Sequence, residues 1–145
     1  MTQRTEYPMN RREGRVLIVD DEQSIRTAIS RTLSKAQYEV VETGDGAQAI
    51  TRLNEGDNPL MVDAILCDLQ MPKINGIDAI AYFRSHYPSI PVVVLTGCPD
   101  VGLAASLMQK GVMDYLVKPI DQEVLLQVIK KAVDLHRTLK NQSKA

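Results

Sequence analysis

Two kinds of hydrophobic pattern alternate along this chain, and their order predicts its architecture. Val16-Leu17-Ile18-Val19 is a short apolar run of the kind found in a strand buried on both faces. Ile25, Ala28, Ile29, Leu33 and Ala36 then recur at helical spacing. Tyr38–Thr43 reads as a more polar strand nearer a sheet edge, and Ala47, Ile50 and Leu53 mark a second helix, which Gly56-Asp57-Asn58-Pro59 terminates. Val62–Cys67 is a third strand, followed by a helix carrying Ile77, Ile80 and Phe83. Pro91–Leu95 is a β-branched fourth strand, with proline tolerated at its first position. Val101, Ala104, Ala105 and Met108 predict a fourth helix ending at Gly111, and Tyr115-Leu116-Val117 a fifth strand. Ile120, Val124, Leu125, Val128, Ile129, Ala132 and Leu135 form the last and longest amphipathic helix. Five βα units in strict alternation predict an α/β fold, a parallel sheet with helices on both faces. Residues 1–14, polar and aperiodic, are expected as a flexible arm, 15–137 as one domain, and 138–145 as a tail or the start of a linker.

Four of the five apolar runs end on a reactive or charged side chain. Asp20-Asp21 follow the first strand, Asp68 the third, Thr96 the fourth and Lys118 the fifth; the second ends at Thr43. In an open parallel sheet all carboxyl ends share one edge, and ligands bind there where strand order reverses. Three carboxylates, a hydroxyl and an ammonium are therefore expected in one shallow cleft. Two carboxylates about 4 Å apart repel by about 4 kcal/mol at an effective dielectric of about 20, and Lys118 alone does not balance three of them. Partly hydrated acidic oxygens suit Mg²⁺, with Mn²⁺ as a substitute. A hydroxyl and an ammonium beside a metal would cradle a phosphoryl group, and one carboxylate could be its nucleophile. Asp68 is the best candidate, since it stands alone on a central strand while Asp20-Asp21 form a metal-side pair.

Composition narrows the function classes. Seventeen basic and eighteen acidic side chains leave a formal charge of −1, without the basic excess expected of direct nucleic-acid binding. No apolar stretch approaches the roughly 20 residues that span a bilayer, and no apolar segment follows the basic residues near the N-terminus as in a secretory signal. Cys67 and Cys98 form no C-x-x-C pair, which fits a reducing compartment. A soluble, cytoplasmic protein is the expectation.

The stretches VLIVDDE (Val16–Glu22), AILCDLQMPKINGID (Ala64–Asp78), VVVLTG (Val92–Gly97) and DYLVKP (Asp114–Pro119) together resemble the receiver domain of two-component response regulators. The resemblance covers roughly residues 15–137. It implies a flavodoxin-like, doubly wound five-stranded parallel sheet of order 2-1-3-4-5 with five helices. It also implies that Asp68 accepts a phosphoryl group from a sensor histidine kinase or phosphotransfer protein. Asp20, Asp21, Asp68 and the backbone carbonyl of Gln70 would hold Mg²⁺. Lys118, preceding a cis bond to Pro119, would pair with the phosphoryl oxygens. Thr96 would move towards that group and Tyr115 turn inward, carrying the switch to the fourth-helix, fifth-strand and fifth-helix face and so to a partner, an output domain or a dimer. Gly97 would leave the cleft open, and Gln70 and Cys98 would modulate the lifetime. The only enzymatic activity implied is self-catalysed phosphoryl transfer and autodephosphorylation. Leu107 and Val112 depart from the alanines common in this family near the fourth helix end, which puts the output surface in doubt.

Other readings compete with several of these features. Gly44-Asp45-Gly46-Ala47-Gln48-Ala49 fits a dinucleotide fingerprint, but Asp45 would face a pyrophosphate with the wrong charge, so a helix-capping turn is preferred. Asp20-Asp21 alone could cap the first helix. His86 and His136 lack ligand partners at useful spacing and are expected on the surface. Val128, Ala132, Leu135 and Leu139, spaced 4-3-4, would suit a homodimeric coiled-coil seam. The alternative function is an Mg²⁺-dependent phosphatase with an aspartyl nucleophile. Such enzymes usually carry the nucleophile after the first strand and need a cap or deep pocket, whereas here the lone aspartate, Asp68, follows the third strand and no insertion provides a cap.

Overall fold

The computed structural model describes residues 13–70 and 76–144. The elements run β1 (Gly14–Val19), α1 (Gln23–Lys35), β2 (Tyr38–Thr43), α2 (Gly46–Leu53), α3 (Asn58–Met61), β3 (Val62–Asp68), α4 (Gly76–His86), β4 (Val92–Thr96), α5 (Val101–Gln109), β5 (Asp114–Val117) and α6 (Gln122–Lys144). All strands are parallel, in the order β2-β1-β3-β4-β5. This is the expected topology, with one helix more than the pattern predicts. The addition is α3, a single turn hidden in the segment that stops α2. Pro59 suits it, because the first turn of a helix needs no proline N–H. Arg15 ties it down, donating to Asp57 at 2.7 Å and Asn58 at 2.9 Å.

Residues alternate across the central strands, so each strand feeds two cores. Leu17, Val19, Ile65, Cys67, Val92 and Val94 face α2, α4 and α5, burying Ala49, Leu53, Ile80, Phe83 and Leu107. Val16, Ile18, Ala64, Leu66, Val93 and Leu95 face α1 and α6, burying Ile29, Leu33, Leu125, Ile129 and Ala132. This two-sided burial requires continuous apolar runs in place of alternating ones.

The helix faces depart from expectation in several places. Val101 is 88% exposed and Met108 also faces out; α5 buries Leu107 and leans on its core through Leu103. Both stripes of α5 are apolar, so periodicity could not rank them. Ile77 is likewise exposed, and α4 turns Ala79, Ile80 and Phe83 inward. Leu107 and Val112 are core residues, so their size fills the interior and does not reshape a surface. The proposed seam is also partly consumed: Val128 and Ala132 are buried against the sheet, and Leu135 alone of the first three is exposed. The helix continues through 138–144, and Lys140 Nζ donates to the Leu60 carbonyl at 3.3 Å.

Gly76 opens α4 directly beneath the end of β3. A Cβ there would overlap the Asp68 carbonyl and lie 2.5 Å from Leu69 Cα, both backbone atoms that cannot rotate away. Gly76→Ala is therefore expected to cost about 2–3 kcal/mol, read as a lowered urea midpoint with an unchanged slope. The Met71-Pro72 break and Asn75 lie outside the described residues.

Candidate functional site

The acidic corner is assembled by strand register. Val19 pairs with Cys67, so Asp20 and Asp68 emerge side by side from β1 and β3. Asp68 in turn lies beside Leu95 of β4, and Thr96 beside Val117 of β5, which puts Lys118 one residue further on. The Lys118 N–H donates to the Thr96 carbonyl at 2.8 Å, and the Lys118–Pro119 bond is cis.

Asp20 is wholly buried, Asp68 nearly so, and Asp21 exposed. One oxygen from each carboxylate lies within 4.8 Å of the others. Two of them have an oxygen held by the chain: Asp20 Oδ1 accepts from Glu22 N at 2.9 Å, and Asp68 Oδ1 from Gln70 N at 3.1 Å. The Lys118 ammonium sits 2.8 Å from Asp20 Oδ2, 3.4 Å from Asp68 Oδ2 and 3.6 Å from Glu22 Oε1. Despite that proximity, Asp20 Oδ2 has no aligned hydrogen bond. It is ion-paired to the ammonium without a well-directed hydrogen bond, and its remaining acceptor capacity suits a divalent cation. Three carboxylates against one ammonium also leave negative charge in excess at a site where each close pair repels by roughly 3 kcal/mol. The residues present thus fit Mg²⁺.

Burial raises the Asp68 pKa above its ordinary value, and the charge of Asp20 adds to this. The Gln70 N–H and Lys118 offset it only in part. For Lys118, burial alone would lower the pKa, but the Asp20 and Asp68 carboxylates outweigh it and hold the ammonium charged.

Around this corner the remaining candidates take up distinct positions. Thr96 is buried, its hydroxyl accepting from Cys98 N at 3.0 Å and lying 3.2 Å from Cys98 O. Gly97 is exposed, and a Cβ there would meet no atom within 4 Å. Gln70 and Cys98 are exposed, and both cysteines are free thiols; burial pushes the Cys67 thiol well up. Tyr115 is half-buried, and its hydroxyl accepts from Asp100 N at 3.1 Å, pinning the loop before α5.

The competing readings separate cleanly. Asp45 caps α2, accepting from Gln48 N at 2.8 Å, while Gln48 Oε1 accepts from Gly44 N at 2.9 Å, as a capping turn requires. Neither Asp20 nor Asp21 is the N-cap residue of α1; Glu22 holds that position. Exposed His86 stacks on Tyr82 with ring centroids 4.0 Å apart. His136, by contrast, is buried, with Nδ1 2.8 Å from Asp63 Oδ1. Its expected surface position is corrected because it continues the inward stripe of α6, three residues after Val133 and four after Ala132. Asp63 Oδ2 also accepts from Arg15 N at 3.1 Å, where β1 and β3 slip register. Sequence reading passed over this pair at the opposite end of the sheet, although an aspartate inside the apolar run of β3 was its visible signal.

A family model described as the response regulator receiver domain matches residues 16–130. Over 123 residues the chain is 36% identical to the CAI-1 autoinducer sensor kinase/phosphatase CqsS of Vibrio cholerae, covering 83% of this chain and 17% of that protein. It is 32% identical to the transcriptional regulatory protein DegU of Brevibacillus brevis, covering 84% and 51%. The chain thus spans about half or less of these curated relatives. Among solved structures, the chemotaxis protein CheY4 of Vibrio cholerae is 31% identical with a TM-score of 0.74, over 82% of this chain and 98% of that one. A receiver domain protein from Clostridium thermocellum is 27% identical with a TM-score of 0.81, over 87% and 98%.

Proposed function

This chain belongs to the response regulator receiver domain family, and from that premise we propose that it is a phosphorylation-controlled switch whose acceptor is Asp68. The observation that carries the reading is the convergence of the Asp20, Asp21 and Asp68 carboxylates within 4.8 Å, with the Lys118 ammonium 3.4 Å from Asp68. The donor would be a phosphohistidine on a sensor kinase or phosphotransfer protein. An Asp68 carboxylate oxygen attacks phosphorus, the phosphorus–nitrogen bond breaks, and its electron pair returns to the imidazole. Asp20, Asp21, Asp68 and the Gln70 carbonyl would hold Mg²⁺. When bound, the ion would neutralise charge on the transferring group.

Lys118, held charged by its carboxylate neighbours, would transfer its pairing to the incoming phosphoryl oxygens. Thr96 would exchange its contacts with Cys98 for that group, and Tyr115 would release Asp100 N as the loop rearranges. Both changes bear on α5, β5 and α6, where apolar Val101, Met108, Val117 and Val124 are exposed and available to a partner or output domain. Gln70 and Cys98 at the rim would tune the access of water to the acyl phosphate. No helix is long and apolar enough to cross a membrane among the described residues.

Incubation with Mg²⁺ and a small acyl phosphate is expected to add one phosphoryl group by intact mass, and chelating the metal beforehand should prevent it. The absence of any adduct would sink the switch reading. Sustained turnover of varied phosphate monoesters would instead identify a phosphatase.

A further inference from the structure

Asp20 is held through its backbone as well as its carboxylate. Its N–H donates to the Thr43 carbonyl at the end of β2 at 3.1 Å, and its own carbonyl accepts from Arg26 Nη1 at 2.7 Å. Arg26 is itself anchored, with Nε 3.5 Å from Glu42 Oε1 and a side chain only 19% exposed. Glu42 in turn accepts from Ser30 Oγ at 2.9 Å. The guanidinium fills the corner over Gly44, where an added Cβ would lie 3.4 Å from Nη1. A single planar side chain from the start of α1 thereby bridges the turn after β1 to the end of β2.

We propose that Arg26 is a positioning residue for the divalent cation. By clamping the Asp20 carbonyl it sets the turn from which the Asp20 and Asp21 carboxylates converge on Asp68. The inference rests on the reading of those three carboxylates as the metal site. Two physical effects of Arg26 oppose each other there. As a nearby cation it repels Mg²⁺, so its removal should tighten binding through charge alone. As a clamp it preorganises the ligands, so its removal should loosen binding, and partners that orient metal ligands typically account for about 10–100-fold in affinity. Geometry decides for the clamp, because Nη1 is directed to the backbone of a metal-side residue and not to its carboxylate.

The test is Mg²⁺ affinity by calorimetry on the unphosphorylated protein, alongside thermal unfolding without metal. Wild-type binding should be lost in Asp20→Asn. Arg26→Ala should bind Mg²⁺ about 10-fold more weakly or worse, although it has lost a positive charge. Arg26→Lys should not restore affinity, because an ammonium keeps the charge but cannot bridge both acceptors. Glu42→Gln, which keeps Arg26 and removes only its anchor, should weaken binding in the same direction by less. Phosphoryl uptake by Arg26→Ala should recover as Mg²⁺ is raised to saturation. Unchanged or tighter affinity in Arg26→Ala overturns the inference and leaves the metal site standing, as does lowered thermal stability alone. Should Arg26→Ala fail to fold, Arg26→Lys and Glu42→Gln carry the same contrast, and wild-type affinity in both overturns it. If wild-type protein shows no Mg²⁺ binding that Asp20→Asn removes, the metal-site reading falls and the clamp with it.

Discussion

Asp68→Asn is expected to abolish the phosphoryl adduct while leaving the protein folded. An amide oxygen of nearly the same shape is a far weaker nucleophile, and the substitution also removes one carboxylate from the proposed cation site. The stability effect should run the other way. Asp68 is buried, and burial raises its folded pKa. A raised carboxyl pKa contributes stability in the protonated form, and that contribution is lost as pH rises through the folded value. At neutral pH the ionised group therefore costs stability, which a neutral asparagine relieves. In metal-free buffer Asp68→Asn should unfold at the same or a higher temperature than wild type, and Mg²⁺ should raise its Tm less. Intact mass and thermal unfolding on the same samples check this. A normal adduct in the variant would place the acceptor elsewhere. Lys118→Ala gives a useful contrast, since it strands Asp20 and Asp68 without their counter-charge and should lower both phosphoryl uptake and stability.

The largest loss of stability should come from the other end of the sheet. His136→Leu removes the ring partner of Asp63 and leaves a buried carboxylate with the Arg15 N–H as its one hydrogen-bond donor among the described residues, at an expected cost of about 3 kcal/mol. Replacing both partners, as Asp63→Val with His136→Leu, should recover part of this but not all. The Arg15 N–H at the register shift would then lose its acceptor. The acid limb provides a second check. Burial would raise the Asp63 pKa, but His136, the Arg15 N–H and the charge of Arg137 outweigh it and lower the folded value. A lowered carboxyl pKa stabilises the fold above the ordinary carboxylate value and stops doing so as pH falls through the folded value. Urea midpoints from about pH 7 down to about pH 3 should therefore drop more steeply in wild type than in His136→Leu across the carboxylate range. Parallel curves would remove Asp63 from the acid response.

Legibility differed between strands and helices for a physical reason. A buried parallel strand needs an unbroken apolar run, so β1, β3 and β4 announced themselves, and the first polar residue after each run marked the carboxyl edge of the sheet. Helices are read from period alone, and period fails where two faces are apolar, as in α5 with Val101 and Met108 outward and Leu107 inward. It also fails where a polar residue sits on the inward stripe, as His136 does. The turn of α3 was invisible for another reason, since Asn58-Pro59 serves equally well to stop one helix and to start the next.

By itself, then, the sequence determined the alternation of five strands with five main helices, the parallel sheet, and the set of side chains waiting at its carboxyl edge, because each follows from local periodicity and from where a run stops. Tertiary structure alone decided which of those groups touch and what else supports them. Lys118 reaches both Asp20 and Asp68, Arg26 clamps a backbone carbonyl from a neighbouring helix, and Asp63 meets His136 across 73 residues of chain. Such contacts depend on strand register and on the packing of helices over the sheet, neither of which leaves a period in the chain.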